Sequence, residues 1–280
     1  MPTPHARLTF EVVDDLVRAH SRGRLAAQPP KHYAVTDVCP LVELMYEDTD
    51  GRTGPLLNTP WLDQVSQMDL RAALASKRNI WLDQSRRRGF MRSTFDPLVP
   101  NGDIYRNQFL MAARSAAEAA GLMKPVAQSL VAAMRELESN IHEHSDHATS
   151  GLLAFQSRAS FFEFVAADSG VGVLATLRED PEFGGLTDHG HAMYAAIQDN
   201  VSRYGRNSGH GRGFCDLFIG LSYLNADLRF RSGDHALLIN GPRPELKTAS
   251  VMIDKCATFS PNLAQGGGDG QRASGGNRAG

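Results

Sequence analysis

The residues best suited to chemistry lie in the stretch ELESNIHEHS, Glu136 to Ser145, near the middle of the chain. An acid, an amide and an imidazole recur there at four-residue intervals, as Glu136, Asn140 and His144. Residues four apart on a helix are neighbours on one face, so these side chains would form a row beside the core. Three interpretations fit such a row: a polar margin with its own hydrogen bonds, a metal site, or half of a nucleotide site.

A metal site is suggested by three nearby histidines, His142, His144 and His147. Residues two apart on a helix point about 200° apart, because the helix repeats every 3.6 residues or so. His142 and His144 therefore cannot converge on one ion unless the helix ends there. The HExxH pattern, whose spacing would direct two imidazoles to one zinc ion, is missing. The sequence argues against a metal site built from these histidines.

Two glycine-rich stretches further along favour a nucleotide site. In ADSGVGV, residues 167–173, Asp168 follows an apolar strand and precedes Gly170 and Gly172, so a ligand can approach the backbone closely. In SGHGRGF, residues 208–214, glycines lead into a helix whose N-terminal N–H groups suit phosphate. The second stretch lacks the GK[ST] of a P-loop and the preceding strand of a dinucleotide fingerprint.

The elements that must position these residues lie between two breaks. The stretch FDPLVPNGD ends an N-terminal region, residues 1–100, which carries no chemical motif and reads as mixed α/β. The Gly-rich polar tail, residues 264–280, cannot bury enough apolar surface to order itself, and we expect it to be disordered. Residues 103–245 are predicted to form one coherent domain.

Periodicity within that domain predicts helix, hairpin, helix, helix and hairpin. The helix that carries the row begins near Pro125 and has an apolar stripe from Met123 to Ile141 at three- and four-residue steps. The stretches GLLAFQSR and FFEFVAAD are predicted to pair through a tight turn. The fold class that follows is α+β: a two-layer sandwich of helices on one face of a mixed, mostly antiparallel sheet.

Three stretches in this order, RELESNIHEH, ADSGVGV and GHGRGF, resemble the N-box and the two glycine boxes of the Bergerat-fold (GHKL) ATPases. That superfamily includes gyrase and the histidine kinases. The resemblance covers about half the chain, and the chain also looks like a branch of stand-alone bacterial ATP-binding proteins related to histidine kinases. It implies ATP and Mg²⁺ as cofactors.

The resemblance also implies roles for individual residues. Asn140 would coordinate Mg²⁺, and Glu136 would act as the catalytic base that polarises a water or an acceptor hydroxyl. Asp168 would accept a hydrogen bond from the adenine amino group, and His144 would lie near the phosphates. The remaining nucleotide-binding positions would be Gly170, Gly172, Gly209, Gly211, Arg212 and Gly213.

The chain departs from the family pattern at two points, which narrows the functions that the resemblance implies. Many histidine kinases have a lysine or arginine three residues after the N-box asparagine, where this chain has Glu143. No histidine upstream has the context of a phosphoacceptor, which argues against a sensor histidine kinase. The expectation is ATP hydrolysis or phosphotransfer that serves as a regulatory switch. The alternatives are a protein serine kinase similar to anti-sigma factors, or a non-catalytic module in which ATP controls binding of a regulatory protein.

Composition and charge limit the partners and the compartment that we expect for the chain. A formal net charge of −2 and 21% charged residues give no electrostatic reason to expect nucleic acid or an anionic membrane as a partner. Three cysteines without CxxC spacing fit a reducing compartment, and no apolar run approaches about 18 residues. We therefore expect a soluble cytoplasmic protein; the sequence does not define its oligomeric state.

Overall fold

The computed structural model of the chain describes residues 6–21, 32–46, 62–63, 67–76, 78–93, 101–197, 227–240 and 243–248. In chain order the elements are β1 (Ala6–Arg7), α1 (Phe10–Ser21), β2 (Tyr33–Ala34), α2 (Val38–Tyr46), α3 (Met68–Ala75), β3 (Ile80–Leu82), β4 (Arg88–Arg92), α4 (Gly102–Ala119), α5 (Lys124–His144), β5 (Leu152–Arg158), β6 (Phe161–Ala167), α6 (Gly172–Leu177), α7 (His189–Ala196), β7 (Asp227–Ser232), β8 (His235–Asn240) and β9 (Arg243–Thr248).

The central sheet is antiparallel and has the strand order β3-β4-β5-β6. The predicted hairpin is confirmed as β5 and β6, with Leu152 opposite Ala167 and Arg158 opposite Phe161. The second predicted hairpin is confirmed as β7 and β8, to which β9 adds a third antiparallel strand. A short parallel pair, β1 and β2, lies in the N-terminal region.

Alternating residues of the central sheet enter two different cores, because successive side chains of a strand point to opposite faces. On one face Phe155 and Phe164 pack in the core that α4 and α5 cover. On the other face Ala154 and Val165 pack in a second core with residues of α1, α2 and α3. The expectation of two layers is therefore corrected: the N-terminal helices add a third layer on the second face.

Helix α5 forms where the apolar stripe predicted it. Pro125 occupies its first turn, and Leu130, Met134 and Ile141 are buried against the sheet. The first residue of the stripe, Met123, precedes the helix and is 72% exposed, so it does not belong to the core-facing stripe.

The stretch WLDQVSQMDLRAALASKRNIW, residues 61–81, predicts a helix along its length, and this prediction is wrong at its C-terminal end. Among the described residues of this stretch, α3 is the helix, and Ile80–Leu82 is a strand that pairs with β4. Trp81 stacks near Phe90 of the neighbouring strand, with ring centroids 6.2 Å apart. This cross-strand pair favours a strand over a continued helix at Ile80–Leu82.

Buried charges join the N-terminal layer to β7. Arg229 donates to Asp14 at 2.9 Å and to Glu43 at 3.0 and 3.1 Å, and Arg231 forms ion pairs with the same two carboxylates. Burial raises the pKa of Glu43 more than the neighbouring Arg229 lowers it. Charges this deep are tolerated only when they are paired, so the network fixes the position of β7 against α1 and α2.

Candidate functional site

The loop that follows β6, residues 168–172, packs against the C-terminal end of α5. The Val171 N–H donates to the carbonyl of Ser145 at 3.0 Å, and the Thr176 hydroxyl donates to the carbonyl of His144 at 3.2 Å. Ser145 is the residue that caps α5 and is fully buried. The fold therefore places the first glycine-rich stretch beside the C-terminal end of the helix that carries the polar row.

Asp168 lies at the end of β6 with a side chain that is 2% exposed. Its Oδ1 accepts a hydrogen bond from the Gly170 N–H at 2.8 Å, which holds the loop in a tight turn. Its Oδ2 is buried, and no described residue donates to it. An unpartnered buried acceptor costs roughly 1–3 kcal/mol, so a ligand that donates a hydrogen bond here would recover that free energy.

The two glycines of the loop are required for reasons internal to the chain. A Cβ atom at Gly170 would overlap the Ser145 carbonyl oxygen and Asp168 Oδ1. Gly172 has a φ of +77°, a conformation that residues with a side chain rarely adopt. Close packing on α5 and the start of α6 therefore account for both glycines, beside any approach of a ligand to the backbone.

The row on α5 is not uniform in burial. Asn140 is 7% exposed and its Nδ2 has no hydrogen-bond partner among the described residues, while His144 is half-buried and Glu136 is exposed. A polar margin whose side chains hydrogen-bond one another would not leave the buried Asn140 Nδ2 without a described partner. Asn140 and Asp168 are thus two buried side chains with unused hydrogen-bonding capacity, on two elements that pack together.

Glu138 of α5 has a buried carboxylate. It is 1% exposed and accepts a hydrogen bond from Arg106 Nε of α4 at 3.0 Å. Glu138 does not belong to the four-residue spacing of the row, and the available signal in the sequence was Arg106 on the preceding helix. Glu138 is committed to this pair, whereas Glu136, four residues before Asn140, is exposed.

Ser232 of β7 is a further contributor that sequence reasoning missed. Its hydroxyl accepts a hydrogen bond from the Val173 N–H at 2.9 Å, which ties the first turn of α6 to β7. The two residues are 59 positions apart, so no local pattern indicates the contact. Ser232 follows Arg231 directly, and it links the loop to the charged network of the N-terminal layer.

The second glycine cluster, with Gly209, Gly211, Arg212 and Gly213, lies outside the described residues. Within the described ranges, no group of three His, Cys, Asp or Glu side chains is placed to hold a metal ion, and no helix is long and apolar enough to cross a membrane.

Comparisons with family models, with curated proteins and with solved structures found no match to this chain.

Proposed function

We propose that the chain is a Mg²⁺-dependent ATP-binding protein with a Bergerat-type nucleotide site between α5 and the loop after β6. The observation that carries the proposal is Asp168, whose buried carboxylate has one oxygen that no described donor reaches. Asn140 on the adjacent helix supports it, because its amide is buried with unused capacity.

The chemistry of Asp168 selects adenine over guanine. The exocyclic amino group of adenine donates a hydrogen bond, and Asp168 Oδ2 can accept it. Guanine has a carbonyl oxygen at the same position, which would face the carboxylate as a second acceptor. A site built around a buried polar group discriminates strongly against a ligand that leaves that group unpaired.

The protein groups suit Mg²⁺ held mainly by phosphate. Mg²⁺ takes oxygen ligands and commonly keeps only one or two from the protein. Asn140 would provide one amide oxygen, and the bound nucleotide would supply phosphate oxygens and the phosphoryl group for transfer. His144 and the glycines of the second cluster would lie near the phosphates, and Arg212 would offset their charge.

Catalysis is assigned to Glu136. Its exposed carboxylate would accept a proton from a water or a hydroxyl as that oxygen attacks, which makes the protein an ATPase or a serine kinase similar to anti-sigma factors. The competing candidate is a non-catalytic switch. The Ser232 contact favours it, because it connects the nucleotide loop to β7 and thence to the N-terminal layer, where a regulatory protein would dock.

Titration of the purified protein with ATP and GTP by calorimetry, with and without Mg²⁺, tests the proposal. We expect ATP to bind, GTP to bind at least about tenfold more weakly, and Mg²⁺ to strengthen ATP binding. Asn140→Ala should remove most of the effect of Mg²⁺, whereas Ser139→Ala, one residue away on the same helix, should keep it. Equal affinity for ATP and GTP would contradict the adenine assignment, and absence of ATP binding would contradict the function.

A further inference from the structure

The loop that carries Asp168 is held at both ends by serine hydroxyls from other parts of the chain. At its start, the Ser169 N–H donates to Ser150 Oγ at 2.9 Å. At its end, the Val173 N–H donates to Ser232 Oγ at 2.9 Å. Ser150 lies 19 positions before Ser169, and Ser232 lies 59 positions after Val173. The conformation of the loop therefore depends on elements that come before and after it in the chain.

Helix α2 of the N-terminal layer supports both of these serines. The hydroxyl of Tyr46, the last residue of α2, donates to the Ser150 carbonyl. Glu43, three residues earlier, pairs with Arg231 Nε at 2.7 Å, and Arg231 directly precedes Ser232. Residues three apart on a helix are neighbours on one face. One turn of α2 therefore contacts the supports of both ends of the loop.

The contacts from α2 are shielded from water. Tyr46 is 3% exposed and Glu43 is 2% exposed. The Ser150 hydroxyl donates to the His147 carbonyl at 2.7 Å, so its hydrogen is engaged and its oxygen acts as the acceptor for Ser169. Hydrogen bonds in such surroundings are stronger than the same bonds in water. The support of the loop from α2 is therefore built from buried contacts.

We infer that Tyr46 and Ser150 are positioning residues, through which α2 holds the Asp168 loop in the conformation that receives a nucleotide. The inference rests on the proposed ATP site. A loop that is already ordered loses less conformational entropy when a ligand binds, so these contacts raise the affinity without touching the ligand. Because Asp168 distinguishes adenine from guanine, a less ordered loop should weaken ATP binding more than GTP binding.

The same contacts give the N-terminal layer control over the site. A partner that displaces α2 removes the support from both ends of the loop and lowers the affinity for ATP. Coupling between two binding events is reciprocal, so bound ATP opposes the displacement of α2 by the same factor. Regulation of the site and the position of α2 are therefore linked in both directions.

Amide hydrogen exchange at Ser169, measured by NMR without nucleotide, tests the support of the loop. Ser150→Ala removes the acceptor of the Ser169 N–H, and exchange there should become at least about fivefold faster. Tyr46→Phe removes one hydroxyl from α2 but keeps the buried ring, and exchange should become about twofold faster or more. Ser150→Thr keeps a hydroxyl and should restore slow exchange.

Calorimetry with ATP and GTP tests the consequence for the site. In Ser150→Ala the ATP affinity should fall about threefold to tenfold and the GTP affinity should change less, so the preference for ATP narrows. Tyr46→Phe should narrow it in the same direction, and Ser150→Thr should keep it. Two controls should match the wild type: Tyr105→Phe on α4, which covers the opposite face of the sheet, and Ser129→Ala at an exposed position of α5.

The inference is overturned if Ser169 exchanges in both variants as it does in the wild type, whether or not ATP binds. It is also overturned if the ATP and GTP affinities fall by the same factor, which a general structural defect would produce. An effect of Ser150→Ala without any effect of Tyr46→Phe overturns the role of α2. If the wild type binds no ATP while exchange is faster in both variants, the proposed function fails and the support of the loop by α2 stands.

Discussion

At one end of β6 the Asp168 carboxylate is buried with an oxygen that no described donor reaches, whereas at the other end Arg87 and Arg158 border an open cleft. The first end offers an acceptor to a ligand that donates, such as an amino group. The second presents the exposed Arg87 and an Arg158 that pairs with Asp37. One strand of seven residues thus separates a buried carboxylate from a cleft bordered by arginine side chains.

The two ends differ mainly in which polar groups are left without a hydrogen-bond partner, and less in which charged residues are present. Arg88 and Glu138 are charged residues near the two ends, yet each is held by a partner from a neighbouring element. Asp168 and Ser157 are buried polar groups that retain unused capacity. Native proteins leave few such groups, so those that remain are the best guide to ligands.

The largest effect should come from the carboxylate of the row. If the protein turns ATP over, Glu136→Ala should lose about 10²- to 10⁴-fold in turnover while it still binds ATP, because a general base acts at the chemical step. Steady-state kinetics at saturating ATP measure this. Glu143→Ala, an exposed glutamate on the same helix, is the matched control and should retain most of the activity.

If Glu136→Ala is as active as the wild type at saturating ATP, Glu136 is not the base. If the wild type binds ATP but shows neither hydrolysis nor phosphotransfer, the non-catalytic switch is favoured over the ATPase or kinase.

The next largest effect should be on folding. Glu43→Ala leaves Arg229 and Arg231 buried with one carboxylate between them, and we expect a loss of about 3–5 kcal/mol in the free energy of unfolding. Chemical denaturation measures the loss. Arg114→Ala breaks the exposed pair with Glu118 and should cost about 1 kcal/mol or less. Equal losses in the two variants would show that the buried network does not hold the N-terminal layer.

Burial of Glu163 makes a smaller contribution that depends on pH. Burial, together with the nearby Asp37 carboxylate, raises the pKa of Glu163 from 4.5 to about 7. A raised pKa in the folded state means that its contribution to stability is full below pH 4.5 and is lost as pH rises through 7.

Glu163→Gln keeps an acceptor for the Val38 N–H, which Glu163 Oε1 accepts at 2.8 Å, but does not ionise. Relative to the wild type, its free energy of unfolding should increase by about 3 kcal/mol between pH 5 and pH 8. Denaturation of both proteins across this range is the measurement. A difference that stays constant with pH would show that Glu163 does not titrate in the folded protein.

Sequence periodicity was sufficient for the elements whose signals are local. The stripe of α5 and both hairpins follow from residue spacing, since each is set by residues close in the chain. The third layer was not predictable, because the second core joins residues such as Val42 and Val165 across more than a hundred positions. The strand at Ile80–Leu82 was missed for a different reason: the helical pattern of residues 61–81 runs into it, and pairing with the neighbouring strand β4 overrides that pattern.

The candidate site was predictable in part. Spacing placed Asn140 beside the core and Asp168 at a strand end, and the structure has both there. The role of Ser232 could not be inferred, because it depends on a contact between elements 59 residues apart. The positions Gly209, Gly211, Arg212 and Gly213 lie outside the described residues and stay predictions.

The central claim, that Asp168 receives the adenine amino group, is tested most directly by the ratio of ATP to GTP affinity in two variants. Asp168→Ala removes a hydrogen bond to a charged acceptor, worth roughly 1.5–3 kcal/mol, and should weaken ATP binding about tenfold or more. Asp168→Asn keeps an oxygen for the Gly170 N–H and so preserves the loop, but presents an N–H group in place of Oδ2. We expect calorimetry to show a folded Asp168→Asn protein in which the preference for ATP over GTP is reduced or reversed. An unchanged ATP affinity and an unchanged preference in both variants would contradict the account.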